Sequence, residues 1–235
     1  MPKLSPLIAA LVLAACVTPQ LSAPDPGPLA TRIMQVDRAT QWRAVGETPI
    51  QFDTHHPQGM VRINGDTFFT SVEILRATTR YPQPINGHDR DAGEGRGHLF
   101  LTSETGALKA DIPLGDGDIY HPGGIDYDGH WLWAPVAEYR ANSRSIIYRV
   151  DPGTLATTEV FRVSDHIGAI AVDRKAHTLI GVSWGGARIY RWPLQSDGSV
   201  KTADLAAPPA ARKSAHYIDW QDCHGLAGRM MLCTG

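Results

Sequence analysis

HPGGIDYDGHWLWAPVAE, residues 121–138, decides the fold, because an earlier stretch repeats its layout. The earlier copy is HPQGMVRINGDTFFTSVE, residues 56–73. Both open His-Pro-x-Gly, pass through a glycine-containing turn (Asn64-Gly65, Asp128-Gly129) and reach a glutamate, Glu73 or Glu138, seventeen residues after the histidine. A third copy begins at His166 (HIGAIAVD…TLIGVSW), with Ser183-Trp184 where the glutamate is expected. Self-similarity at a fixed spacing marks a repeat architecture, in which each unit buries its apolar face against the next.

Working outward, each copy predicts an apolar first strand (60–63, 125–127, 170–172), a tight turn and a second strand (68–72, 131–137, 179–182). A third strand carries Ile147-Tyr148-Arg149-Val150 in one copy and Ile189-Tyr190-Arg191-Trp192 in the next, with Leu99-Phe100-Leu101 as the earlier counterpart. Turn residues follow (Glu104-Thr105-Gly106, Asp151-Pro152-Gly153, Asp197-Gly198), then a fourth strand. Four short antiparallel strands every ~45 residues predict an all-β chain, a β-propeller of four-stranded blades. Outside the leader no apolar stripe of helical period competes. Three blades read as complete, and half of a fourth begins near His216 and reaches residue 235. Residues 40–52 (TQWRAVGETPIQF) read as an N-terminal closing strand. The count predicts a C-terminally incomplete propeller; the alternative is a four-bladed ring closed by the N-terminal strand alone.

The chain has 235 residues, enough for one domain with a sizeable core. A net charge of −2 leaves no basic footprint for nucleic acid. The first residues, MPKLSPLIAALVLAAC, carry one lysine and an apolar run too short to cross a bilayer. Leu13-Ala14-Ala15-Cys16 resembles the lipobox of bacterial lipoproteins. That resemblance implies a signal peptide over residues 1–15, acylation of Cys16 as a membrane anchor, a Pro-rich tether over 16–33 and a folded domain over 34–235. The alternative is a plain signal peptide with an incidental cysteine. Val17, where aspartate would signal inner-membrane retention, favours the outer membrane of a Gram-negative cell. The expected location is therefore the cell envelope.

Cys223 and Cys233 flank Gly228. A hairpin tip at 227–229 would set them opposite each other, and export favours a disulfide; the other reading is two buried free thiols. Their spacing does not suit a zinc site. With these residues in view, the chain from 41 to 235 resembles a family of exported bacterial and fungal propeller-type domains of unassigned function. The resemblance is carried by His56-Pro57-Gln58-Gly59, by AEYRANS at 137–143, by DHIGA at 165–169, and by Gln221-Asp222-Cys223 with Cys233. It implies the fold and the cysteine pair, and members that continue past this chain's last residue; it supplies no chemistry.

The site must come from the residues. In a hairpin, the start of the first strand lies beside the end of the second, so His56 is expected beside Glu73 and His121 beside Glu138. First strands that line a common channel would bring these pairs to one mouth, joined by His166, Asp222 and His216. Such a cluster suits one divalent cation (Ca, Mg or Zn) or an acid–base pair. Arg140, Asn142, Arg144 and Arg188, in loops after the second strands, suit a small anionic or polyhydroxyl ligand. Trp184 could stack on a sugar or aromatic ring. The opposing reading makes each His–Glu pair a structural latch. His88, His98, His130 and His177 read as surface residues, and Trp131, Trp133, Trp192 and Trp220 as packing between blades. Residues 74–97 read as a long structureless loop over the mouth. No nucleophile elbow, phosphate loop, dinucleotide fingerprint or His-Glu-x-x-His occurs. Two functions follow: a lipoprotein that binds a small polar ligand or partner at the mouth, and a metal-assisted hydrolase or lyase using the same groups.

Overall fold

Residues 27–206, 209–212, 219–226 and 230–235 are described by a computed structural model. Cys16, His216 and the expected hairpin tip at 227–229 lie outside the described residues. The chain is mostly β, 51% strand against 7% helix, in several antiparallel sheets. A short helix, α1 (Gly27–Ile33), comes first and buries Ala30. It falls inside the stretch expected to be an unstructured tether, so that stretch has local structure at its C-terminal end.

The first sheet contains β1 (His56–Ile63) and β2 (Asp66–Arg76). A separate hairpin follows, β3 (Arg80–Ile85) with β4 (His88–Arg90), before β5 (Glu94–Thr102) and β6 (Leu108–Leu114) complete the sheet in the order β1-β2-β5-β6. Residues 74–97 are thus not structureless: β2 runs on to Arg76 and the hairpin fills most of the remainder. Asn64 and Gly65 both take positive φ (53° and 90°), the pairing that a two-residue turn between twisted strands demands.

In the second sheet the first strand is broken. β7 (His121–Pro122) and β8 (Asp126–Tyr127) both pair with β9 (Leu132–Ala137), which continues to β10 (Ser145–Val150) and β11 (Thr157–Val163). Between the two pieces the backbone leans away, and the Gly124 N–H donates to the carbonyl of Gly168, 2.9 Å away. The third sheet is β12 (Ile167–Asp173), β13 (Thr178–Ser183), β14 (Arg188–Pro193) and the two-residue β15 (Ala211–Arg212), with a one-turn helix α2 (Thr202–Leu205) before β15. A last hairpin, β16 (Asp222–Gly225) and β17 (Met231–Thr234), sets Cys223 directly opposite Cys233, their Cα atoms 4.1 Å apart and their sulfurs bonded.

Consecutive sheets share apolar cores, which is why β9 and β13 are buried at every position. Phe68, Leu99 and Leu101 of the first sheet meet Ile125, Leu132 and Ile146 of the second. Trp133, Ile147 and Phe161 of the second meet Ile170, Leu179 and Trp192 of the third. Ala171 and Val182 of the third meet Cys223 of the last hairpin, with Trp220 packed alongside.

The first strands of the three large sheets and of the last hairpin come together. β8 contacts β1, β12 and β16, and β16 also contacts β1 and β12. Their backbones approach closely enough that a Cβ on Gly59 would stand 2.5 Å from the Gly124 Cα, and one on Gly124 would stand 2.5 Å from the Gln221 carbonyl oxygen. The glycine of the repeated His-Pro-x-Gly is there for this approach. Two carboxylates knit the junction. Asp126 accepts from the N–H groups of Val172 and Gly225, each at 2.8 Å, and Asp222 from Met60 and Ile125 at 3.0 and 3.1 Å.

The strand expected over residues 40–52 does not form. Trp42 and Val45 are 77% and 88% exposed, so the segment has no apolar face to bury. Its attachment is local: the Gln51 N–H donates to the Gly106 carbonyl at 3.1 Å, and Phe52 packs on Phe69 and Phe100.

Candidate functional site

His56 opens β1, His121 opens β7 and His166 immediately precedes β12. The three histidines line one cavity of about 150 Å³, together with Arg90, Tyr139, Trp184 and Asp219. His121 is the most telling member. Its ring stacks on Tyr139 at 4.3 Å, and its Nε2 is buried without a hydrogen-bond partner among the described residues. Burial, reinforced by the neighbouring His166 and His56, pushes its pKa down to about 3, so the ring is neutral at ordinary pH.

His166 lies deeper. Its Nδ1 is 2.8 Å from the Glu138 carbonyl, an acceptor, so that nitrogen carries the proton. Burial lowers the pKa of this imidazole also. Trp184 meets His166 edge-on at 4.7 Å, and the Arg90 guanidinium lies 5.3 Å from the centre of the Trp184 ring. Arg90 comes from the β3–β4 hairpin, and His88 of the same hairpin reaches the Ala141 carbonyl at 3.3 Å. The insertion therefore does border the mouth, as a folded hairpin. The cavity is an aromatic-walled space that holds the neutral imidazoles of His121 and His166, with Arg90 and Asp219 also in its lining.

The expected His–Glu pairs are not made, and strand register is the reason. His121 is opposite Ala137, and His56 is opposite Val72. Each glutamate is one residue further on and so projects from the other face of its strand. Glu138 is buried between Arg140 and Arg144, with contacts of 2.6 and 2.7 Å. Burial alone would raise its pKa; hydrogen bonds and charge from Arg144 and Arg140 outweigh it and hold the carboxyl below its ordinary value. Arg188 is occupied likewise, donating to both oxygens of Asp165 at 2.6 Å and to Asn142 at 3.2 Å, while the Tyr190 hydroxyl donates to Asp165 at 2.8 Å. Arg140, Asn142, Arg144 and Arg188 thus brace loops rather than line the cavity. Asp222 is not with the histidines either, since its oxygens hold the first-strand junction.

Glu73 has different neighbours from those expected. It is 2.9 Å from Arg96 and 4.0 Å from His98, and His55, Glu73 and His98 offer ligand atoms that all lie within 4.8 Å of one another. Among the described residues the mouth histidines form no such group. His98, read from sequence as a surface residue, has a side chain only 12% exposed. From sequence, His55, His98, Tyr139 and Arg90 were assigned no role in the site. A register count would have found the first two, because His55 rather than His56 falls on the face of Glu73.

A larger cavity, about 570 Å³, opens along β1 beside Met60, Arg62, Phe69 and Asp222, and no histidine lines it. No helix among the described residues is long and apolar enough to cross a membrane.

The chain belongs to a family of unknown function, DUF6454, whose profile matches residues 9–235. No curated protein matches the chain.

Proposed function

Starting from a family without an assigned activity, we propose that this chain is an envelope-anchored lipoprotein whose β-propeller-type domain binds a small polar ligand in the cavity of His56, His121 and His166. Two four-stranded sheets, a five-stranded sheet whose first strand is broken in two, and a final hairpin, stacked in sequence order with their first strands together, support the blade reading. The leader and Leu13-Ala14-Ala15-Cys16 support residues 1–15 as signal peptide, an anchor on Cys16 and a tether before the domain of residues 34–235. On this reading Cys16→Ser moves the protein from the membrane fraction to the soluble fraction of expressing cells, and a variant that still sediments with membranes argues against the anchor.

The observation that carries the binding reading is the buried His121 Nε2, which has no hydrogen-bond partner among the described residues. A buried polar atom left without a hydrogen bond costs about 1–3 kcal/mol, so its retention at a cavity is explained by a ligand that satisfies it. The cavity, about 150 Å³, is on the scale of a small polyol or monosaccharide, and the walls of Tyr139 and Trp184 suit the apolar face of a hydroxylated compound. Polyols and monosaccharides are the natural probes. Titrating glycerol, xylitol and glucose into the purified chain should give a saturable change in Trp184 emission, read against a Trp184→Phe control. His121→Phe should abolish the change while the far-ultraviolet circular dichroism stays the same. A response that persists in His121→Phe, or none across the panel, contradicts the proposal.

The metal-assisted hydrolase reading places its ion at the same mouth. It has less support, because the nearest compact set of ligand atoms lies on the opposite face of the first strand.

A further inference from the structure

We infer that His55, Glu73 and His98 form a binding site for a divalent first-row metal ion of the zinc class, separate from the cavity of His56. The inference does not depend on the binding role proposed for that cavity. It begins with register. Ser71 is opposite His98 and Glu73 is opposite Arg96 in the β2–β5 pair, so Glu73 and His98 are diagonal neighbours on one face of the sheet. The chain entering β1 brings His55 over the same face, its ring centroid 5.2 Å from that of His98. Glu73 Oε2 stands 4.0 Å from His98 Nε2, and one ligand atom from each of the three lies within 4.8 Å of the others. Two ligands at ~2.1 Å from one tetrahedral ion are about 3.4 Å apart, so small rotations of the partly buried His55 and Glu73 side chains close the remaining gap.

The state of His98 points to a ligand. Its Nδ1 is 2.9 Å from Asp111 Oδ1, and a carboxylate only accepts, so Nδ1 carries a proton, and in the neutral ring Nε2 presents a lone pair. That Nε2 is buried and has no hydrogen-bond partner among the described residues. A carboxylate behind a histidine whose far nitrogen faces two further donors is the arrangement that orients metal-ligating imidazoles. Phe100 stacks on the His98 ring at 5.0 Å and fixes its plane. Arg96 also donates to Glu73 Oε2 at 2.9 Å from an exposed position, so an ion there shares the carboxylate with this guanidinium. Two imidazoles and one carboxylate favour zinc and its neighbours over calcium or magnesium, which prefer all-oxygen shells. The His55 side chain is about a quarter exposed, which leaves water a path to a further coordination position.

Cobalt(II) tests this directly, because its visible absorption reports ligation and zinc displaces it. The purified full chain, freed of metal with a chelator, should bind one equivalent of cobalt(II) with new visible bands that zinc abolishes. Glu73→Gln and His55→Ala, both at partly exposed positions, should each weaken binding at least tenfold with unchanged circular dichroism. Asp111→Asn should weaken it about tenfold while keeping the stoichiometry, the effect of losing an orienting carboxylate. His121→Phe should bind as the parent does. Absence of a saturable equivalent, or binding that survives both Glu73→Gln and His55→Ala, overturns the site.

Discussion

His224 lies between two carboxylates, its Nδ1 3.4 Å from Asp126 and its Nε2 3.4 Å from Asp222. Hydrogen bonds to Asp126 and Asp222 raise its pKa to about 10 against an ordinary 6.5, so the ring is a cation wedged into the first-strand junction. Because the folded value is raised, its contribution to stability is complete below pH 6.5 and is lost as the pH climbs through about 10. Urea unfolding followed between pH 6 and 10 should show falling stability across that window, and His224→Gln should flatten the slope. An unchanged slope in that variant would remove His224 from the junction's electrostatics. The same residue scale explains what the sequence hid. His56 and Glu73 were legible as chemistry-bearing residues, but a one-residue register offset turns them to opposite faces, and register belongs to pairing rather than to local pattern. The partners of Glu138 were hidden likewise: Arg140 and Arg144 are visible in sequence, but the turn that folds both back on it is not.

At the scale of elements, the period-2 strands and their turns were readable because apolar alternation and Asn-Gly or Asp-Gly pairs are local signals. The break between β7 and β8 was not, since it is set by a neighbouring strand: Gly124 bridges Ala169, and the Ile170 N–H donates to the Gly124 carbonyl at 3.0 Å. The segment over residues 40–52 failed for the converse reason. It has strand-like composition, yet no described strand pairs with it. The glycines of the repeat carry the element-scale prediction. Gly124→Ala should destabilise the fold by about 1–3 kcal/mol, as overpacking does, because the new methyl meets backbone that cannot rotate away. Gly46→Ala is the control for the loss of glycine alone, since its φ is not positive and a Cβ there meets nothing within 4 Å. Equal losses in both variants, read from urea midpoints, would show that close approach of the first strands is not what Gly124 provides.

Over the whole molecule, a succession of sheets becomes one structure through a shared junction of backbone, Asp126, Asp222 and glycine, with histidines left at one end of it. The junction explains why the repeated motif couples a histidine to a glycine: the glycine admits the neighbouring strand, and the histidine is delivered to the cavity. The sequence carried the repeat and the convergence of histidines. It did not carry the occupancy of the arginines by Glu138 and Asp165, which depends on how loops of different sheets fold against each other. The most direct test of the mouth as a binding site is nitrogen-15 NMR of the imidazoles in the full-length protein during titration with xylitol and glucose. The account predicts that His121 Nε2 shifts saturably while His130 and His177 stay fixed, and that the His121 signal does not titrate between pH 5 and 8. A His121 resonance that ignores every probe, or that protonates near pH 6.5, would contradict it.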